Sequence, residues 1–295
     1  LAALLHDGIQ KNPEEDALWY IATKTALDRG ESDIVEDLLE KMPNVNSGEA
    51  LALRSRYALQ LGNQEEAKKL QEQAITSASV NEKVRIEISY LSRVLEDRLP
   101  SGQTSISTEE ILARINSLKL GDLNPETRQN ALVAIAIIKH NIALIGEDFS
   151  GAAKIRKQLE SISQKSDPII VEMELKESVR IAKWGSVDWI RESEAIRKLI
   201  KLSSPIRALS LRLFLVEKMA ENELEETRKL LEHIEEVSFN GPAARRLIAK
   251  VWYWKGVVEE SNRMEFWREA IHRYRSAECA HAAQELTQKM HEMLR

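Results

Sequence analysis

Cysteine is nearly missing from this chain. The one thiol, Cys279, stands alone among 295 residues. That excludes an internal disulfide framework and any site built from several thiolates, and it is compatible with a reducing compartment. Glycine and proline are scarce, at 11 and 7 residues, too few for a loop-rich or disordered chain. Long apolar runs are absent too. The longest, 131–138, ends at Lys139, far short of the ~20 residues of a spanning helix, so no membrane insertion is expected. A net charge of −5 gives no overall basic surface, so nucleic acid is not expected as a partner.

Chemical motifs are missing as well. No GxxxxGK[ST], GxGxxG or GxSxG occurs, leaving phosphate cradles and nucleophile elbows without support. Among six histidines none belongs to an HExxH pair. Glu278 and His281 form a single Glu-x-x-His step, where a di-iron bundle needs two. Acidic runs such as Asp33, Glu36, Asp37 and Glu40 read as solvated helix faces. No metal, cofactor, small-molecule substrate or catalytic residue is expected, and the chain is not predicted to be an enzyme.

What the chain does have is a recurring start signal. Asn12-Pro13, Asn124-Pro125, Asp167-Pro168, Ser204-Pro205 and Gly241-Pro242 each place proline where a helix can begin. Four of the five follow a side chain able to cap free backbone N–H groups. Pro168, Pro205 and Pro242 stand 37 residues apart at each step, and Asn12, Asn46 and Asn81 mark steps of 34 and 35. With 43% hydrophobic residues, 30% charged residues and no strand-like stretch between the marks, this is the signature of a helical repeat array. Residues 1–8 read as the end of a helix stopped by Gly8. The chain is therefore expected to be a piece of a longer protein, cut inside a repeat.

The first helix of unit one carries Trp19, Ala22, Thr23 and Ala26. Gly30 makes the turn, and Val35 and Leu39 lie on the return helix. Unit two repeats the pattern with Leu51, Ala58, Gly62 and Ala67. Over residues 12–78 these positions resemble the tetratricopeptide repeat family; units three to seven resemble divergent members of it or other α-solenoid hairpins. The resemblance implies a right-handed superhelix that binds protein or peptide in its concave groove. The predicted fold is all-α: an α-solenoid of about seven antiparallel hairpins in a single domain, 1–295. Tetratricopeptide-like units occupy 12–80, longer hairpins 81–275, and a capping helix 276–295 turns Glu278, His281, Glu285, Lys289 and Glu292 outward. The helix over 131–145, apolar on nearly every side, is expected at the centre of the stack. The connection 99–107, rich in Ser, Thr and Gly, reads either as a mobile surface insertion or as a contact loop for a partner.

Unit seven departs from the rest. It holds Phe239, Trp252, Tyr253, Trp254, Phe266, Trp267 and Tyr274, interleaved with a local excess of Arg and Lys. Arginine beside aromatics is typical of binding hot spots. Trp254 fits a core stripe with Leu247, Val251 and Val258, whereas Trp252 and Arg245 fall on another face. Arg245, Arg246, Trp252, Lys255 and Arg268 are the candidate surface for an acidic protein or peptide partner. There, an Arg245→Glu, Arg246→Glu exchange is expected to weaken binding without lowering the melting temperature. Tyr20, Lys24 and Arg56 on the first helices are the next candidates. The expected function is a non-catalytic protein–protein interaction scaffold. The alternatives are the sensor or regulatory arm of a larger signalling NTPase and a periplasmic solenoid of an envelope-export machine.

Overall fold

The computed structural model describes residues 2–100, 102–162, 167–220, 222–232, 234 and 241–295. Among them there are sixteen α-helices and no strand. They are α1 Ala2–Lys11, α2 Asp16–Arg29, α3 Ser32–Lys41, α4 Gly48–Gln60, α5 Gln64–Ser77, α6 Val80–Glu96, α7 Thr108–Asn116 and α8 Pro125–Ile145. The second half has α9 Phe149–Glu160, α10 Pro168–Ile181, α11 Val187–Leu202, α12 Pro205–Met219, α13 Leu224–Glu232, α14 Pro242–Val258, α15 Arg263–Ser276 and α16 Ala280–Met293. None is long and apolar enough to cross a membrane among the described residues.

The start signals act largely as their chemistry requires. Pro125, Pro168, Pro205 and Pro242 each open a helix. Asn124 accepts the Thr127 N–H at 2.8 Å, and Asp167 accepts that of Ile169 at 2.9 Å. Ser107 caps α7 by accepting from Glu110 N at 3.1 Å. Pro13 instead lies in the turn ahead of α2, where its carbonyl accepts the Trp19 indole N–H. The caps of α4 and α6 are Ser47 and Ser79, not Asn46 and Asn81, since serine stands directly before each helix. Gly8 sits inside α1 and is not its stop: the helix runs on to Lys11, and Gly8 O accepts from Asn12 N. Gly30 ends α2 with φ 74°, a left-handed conformation that costs glycine nothing.

Successive helices pack on one another, and so do alternate ones: α2 on α4, α4 on α6, α6 on α8, α8 on α10, α12 on α14. α10 and α12 are joined by ion pairs, Arg180 on Glu217 at 2.6 Å and Arg207 on Glu172 at 2.9 Å, and contribute to one apolar cluster with α11. The His140–Glu177 and Arg180–Glu217 contacts both span 37 residues, the period of the proline marks.

The buried apolar side chains form separate clusters, most drawn from three neighbouring helices, such as Leu91, Ile111 and Ile135 across α6, α7 and α8. No side chain from Ala131 to Leu144 is exposed, and α8 contributes to the clusters on either side of it. The largest cluster breaks the local pattern. It gathers α12 to α16 and also takes in Leu99, 2% exposed, from the connection after α6. That connection is therefore anchored. Arg98 donates to the Pro100 carbonyl at 2.9 Å, and the His281 ring bonds the Gln103 carbonyl at 3.1 Å. This departs from a mobile surface insertion because a single leucine at the start of a Ser-, Thr- and Gly-rich stretch carries no local pattern that shows it buried.

Candidate functional site

Two features stand out: a charged junction that joins the two ends of the chain, and a cleft between alternate helices.

The junction centres on Glu278, whose side chain is fully buried. It lies in the turn between α15 and α16 with φ 64°, a conformation disfavoured for a residue with a Cβ. Its carboxylate accepts from Arg56 Nε at 3.0 Å and Nη2 at 2.8 Å, and from Arg93 Nη1 at 3.4 Å. Arg56 also binds Asp28 at 2.7 Å. Burial disfavours the Arg56 charge, but Glu278 and Asp28 more than offset it and its pKa is raised. Arg93 has less compensation: burial, with Arg56 and Arg246 nearby, outweighs Glu278 and lowers it to about 10, still charged at neutral pH. Asp97, at the end of α6, accepts the backbone N–H groups of His281 and Ala282 at 3.2 and 2.9 Å. It thereby caps α16, where free N–H groups favour an anion; its burial raises its pKa.

α16 is accordingly the outward-facing cap only in part: Lys289 and Glu292 are exposed, as the sequence suggested, whereas Glu278 is buried and His281 and Glu285 are half-buried. Glu278 turns to Arg56 on α4 and Arg93 on α6, and the His281 ring to the Gln103 carbonyl. Cys279 is buried, and burial together with Asp97 pushes its thiol pKa well up.

The eight residues singled out in the sequence do not share one surface. Arg245 donates to the Asp28 and Leu27 carbonyls at 2.6 and 3.0 Å, covering the C-terminus of α2. Arg246 is buried against Glu96 at 2.6 Å. Arg56 belongs to the junction. These three arginines thus join the ends of the chain and do not stand free for a partner. Trp252 packs on Phe266 and lies beneath Lys255 and Arg273, with the cations 4.7 and 5.2 Å from its ring. Arg268 is exposed. At the other end of the chain, Lys24 pairs with Asp28, and Tyr20 is half-buried with Arg85 over its ring. Trp254 is core, as its stripe implied. Phe239 lies outside the described residues.

The cleft, ≈180 Å³, is lined by α6, α8, α10, α12 and α14 together with the start of the 99–107 connection. Leu213 and Trp254 form its floor, Leu247 and Ile145 its rim, and Arg98, Arg180, Glu217 and Lys250 its polar groups. The 37-residue period carries a signal of it: Lys176, Leu213 and Lys250, all in its lining, stand 37 residues apart. A wider opening, ≈710 Å³, lies between the turn after α4 and helices α15 and α16. Gln64 and Gln284 bond across it at 3.1 Å.

Among the described residues no group of three or more His, Cys, Asp or Glu is placed to hold a metal ion. His140 and Glu177 form a buried pair at 2.9 Å, but Arg156 holds the same carboxylate from the other side at 3.1 and 3.2 Å. This triad ties α8, α9 and α10 together, and no nucleophile hydrogen-bonds to it among the described residues. Compared with known proteins, the chain matches no family model, no characterised protein and no solved structure.

Proposed function

We propose that this protein is a non-catalytic interaction scaffold: a tetratricopeptide-like helical repeat array that holds a protein or peptide segment in the cleft along its first helices. The sixteen helices fit seven pairs, α2 with α3 through α14 with α15, flanked by α1 and α16. In such an array the first helices line the inner side, and local cores of three neighbouring helices are its usual form of stability.

One observation carries the reading. A single cleft draws its lining from five consecutive first helices, α6, α8, α10, α12 and α14. Its ≈180 Å³ falls below the ~300–1,000 Å³ typical of small-molecule sites, and suits an inserted side chain better than a substrate.

Site-specific photo-crosslinking tests it. A crosslinker at Ser210, in the cleft, is expected to give discrete adducts with one or a few proteins. The same group at Lys157, exposed on α9, is expected to give none of them. Equal adducts from both positions, or adducts only from Lys157, would overturn the reading.

A further inference from the structure

Among the described residues, the cleft holds two cations with no carboxylate paired to them. Lys250 makes no hydrogen bond and no ion pair, and Arg98 makes no ion pair, among the described residues. The carboxylates nearest Lys250 are Glu96 and Glu217. Both are engaged elsewhere, Glu96 with Arg246 and Glu217 with Arg180, each at 2.6 Å. Lys176 is matched by Glu172 at 2.7 Å. Lys176 shares that carboxylate with Arg207. Every other cation lining the cleft therefore has a carboxylate partner, and the four cations of the lining face two carboxylates in a chain of net charge −5. Burial lowers the pKa of both Lys250 and Arg98. A desolvated, unpaired ammonium destabilises a fold, and its place in a cleft marks it as a binding group.

We propose that this cleft docks an acidic protein segment, one carboxylate of which pairs with Lys250 and Arg98 while an adjacent large apolar side chain seats between Leu247, Ile145 and Trp254. The proposal rests on the scaffold reading and names the partner's chemistry. Charge complementarity selects an anion, and the apolar rim selects one that carries a hydrophobic neighbour. A single-stranded nucleic acid would need exposed aromatic faces for stacking. Here Trp254 is 8% exposed, and Lys176 and Arg180 lie over the Phe214 ring.

Fluorescence anisotropy tests the proposal with labelled peptides in which Glu alternates with Leu and Phe, their Gln and Lys counterparts, and a thymidine oligonucleotide. The Glu peptide is expected to bind best and to weaken with salt. Lys250→Met is expected to weaken it about tenfold or more, the scale of a lost charge-assisted contact, and Lys250→Arg to retain most of the affinity. Lys250→Met removes a half-buried charge that has no partner among the described residues, so its melting temperature is expected to match or exceed the parent's. Ser210→Trp fills the cleft and is expected to abolish binding.

Equal binding of the Gln peptide, or an unchanged affinity in Lys250→Met, would overturn the acidic partner. The cleft itself would survive either result if Ser210→Trp still blocked the peptide. Tighter binding of the oligonucleotide would replace the acidic protein segment with nucleic acid. Binding by no probe would also overturn the acidic inference, leaving the scaffold reading to the crosslinking result. Peptide binding untouched by Ser210→Trp would remove both.

Discussion

Replacing Glu278 separates two opposing effects at one residue. Glu278→Ala leaves Arg56 and Arg93, each with a side chain 12% exposed, without their shared carboxylate. Removing one partner of a buried pair costs about 3–5 kcal/mol, because the remaining charges stay desolvated. Alanine keeps the unfavourable left-handed backbone. Glu278→Gly removes the same carboxylate but relieves that backbone, which is worth about 1–2 kcal/mol. Glycine should therefore be the milder substitution, with a net loss of about 1–4 kcal/mol. Urea denaturation of the parent and both variants measures this directly. Because the lost contacts join α4 and α6 to the turn before α16, amide exchange should accelerate first at residues 278–293. A loss below about 1 kcal/mol for Glu278→Ala, or alanine milder than glycine, would refute the assignment of Glu278 as the buried, strained anchor of the junction.

Four further outcomes are expected. Arg245→Glu with Arg246→Glu should lower thermal stability, by about 3 kcal/mol or more, since the change reverses a buried charge opposite Glu96 and uncovers the α2 carbonyls; an unchanged melting curve would contradict this. Leu99→Ala should cost about 2–5 kcal/mol, measured by the same denaturation, and limited proteolysis of the parent should spare the bonds flanking Leu99. Ile135→Asp should cost about 3 kcal/mol or more, as a carboxylate in the α6–α7–α8 cluster has no partner. In acid, burial raises the pKa of Asp28 and Glu177, but Arg56 and Lys24, and His140 and Arg156, hold the two below the ordinary carboxylate value. Their stabilisation is thus full above about pH 4 and is lost as pH falls through their folded values. Asp97, raised by burial, acts in the opposite sense, so Glu177→Gln should flatten the acid loss and Asp97→Asn should steepen it.

The helices were legible because their signals are local. Proline at the first turn, serine and asparagine caps and Gly30 act within a few residues, so α8, α10, α12 and α14 start where their prolines stand. The burial of α8 was legible because its side chains are themselves apolar. The equal enclosure of α14 was not, because Arg245, Arg246 and Lys250 look solvent-facing in any local pattern. Only contacts with Asp28, Leu27 and Glu96, 150–218 residues away, place the two arginines inside. Glu278 was hidden for the same reason: a glutamate beside a helix start reads as surface unless Arg56 and Arg93 are known to face it. The cleft fell between these cases. Lys176, Leu213 and Lys250 follow the 37-residue period, but a lysine, a leucine and a lysine share no chemistry that would mark them as one surface.

The claim that the inner cleft is the binding surface is tested most directly by hydrogen exchange, with and without a saturating Glu-containing peptide. The expected result is slowed exchange in α10, α12 and α14, centred on residues 176–180, 210–217 and 247–254, with α9, α11 and α13 unchanged. Protection confined to those outer helices, or none at saturation, would contradict it.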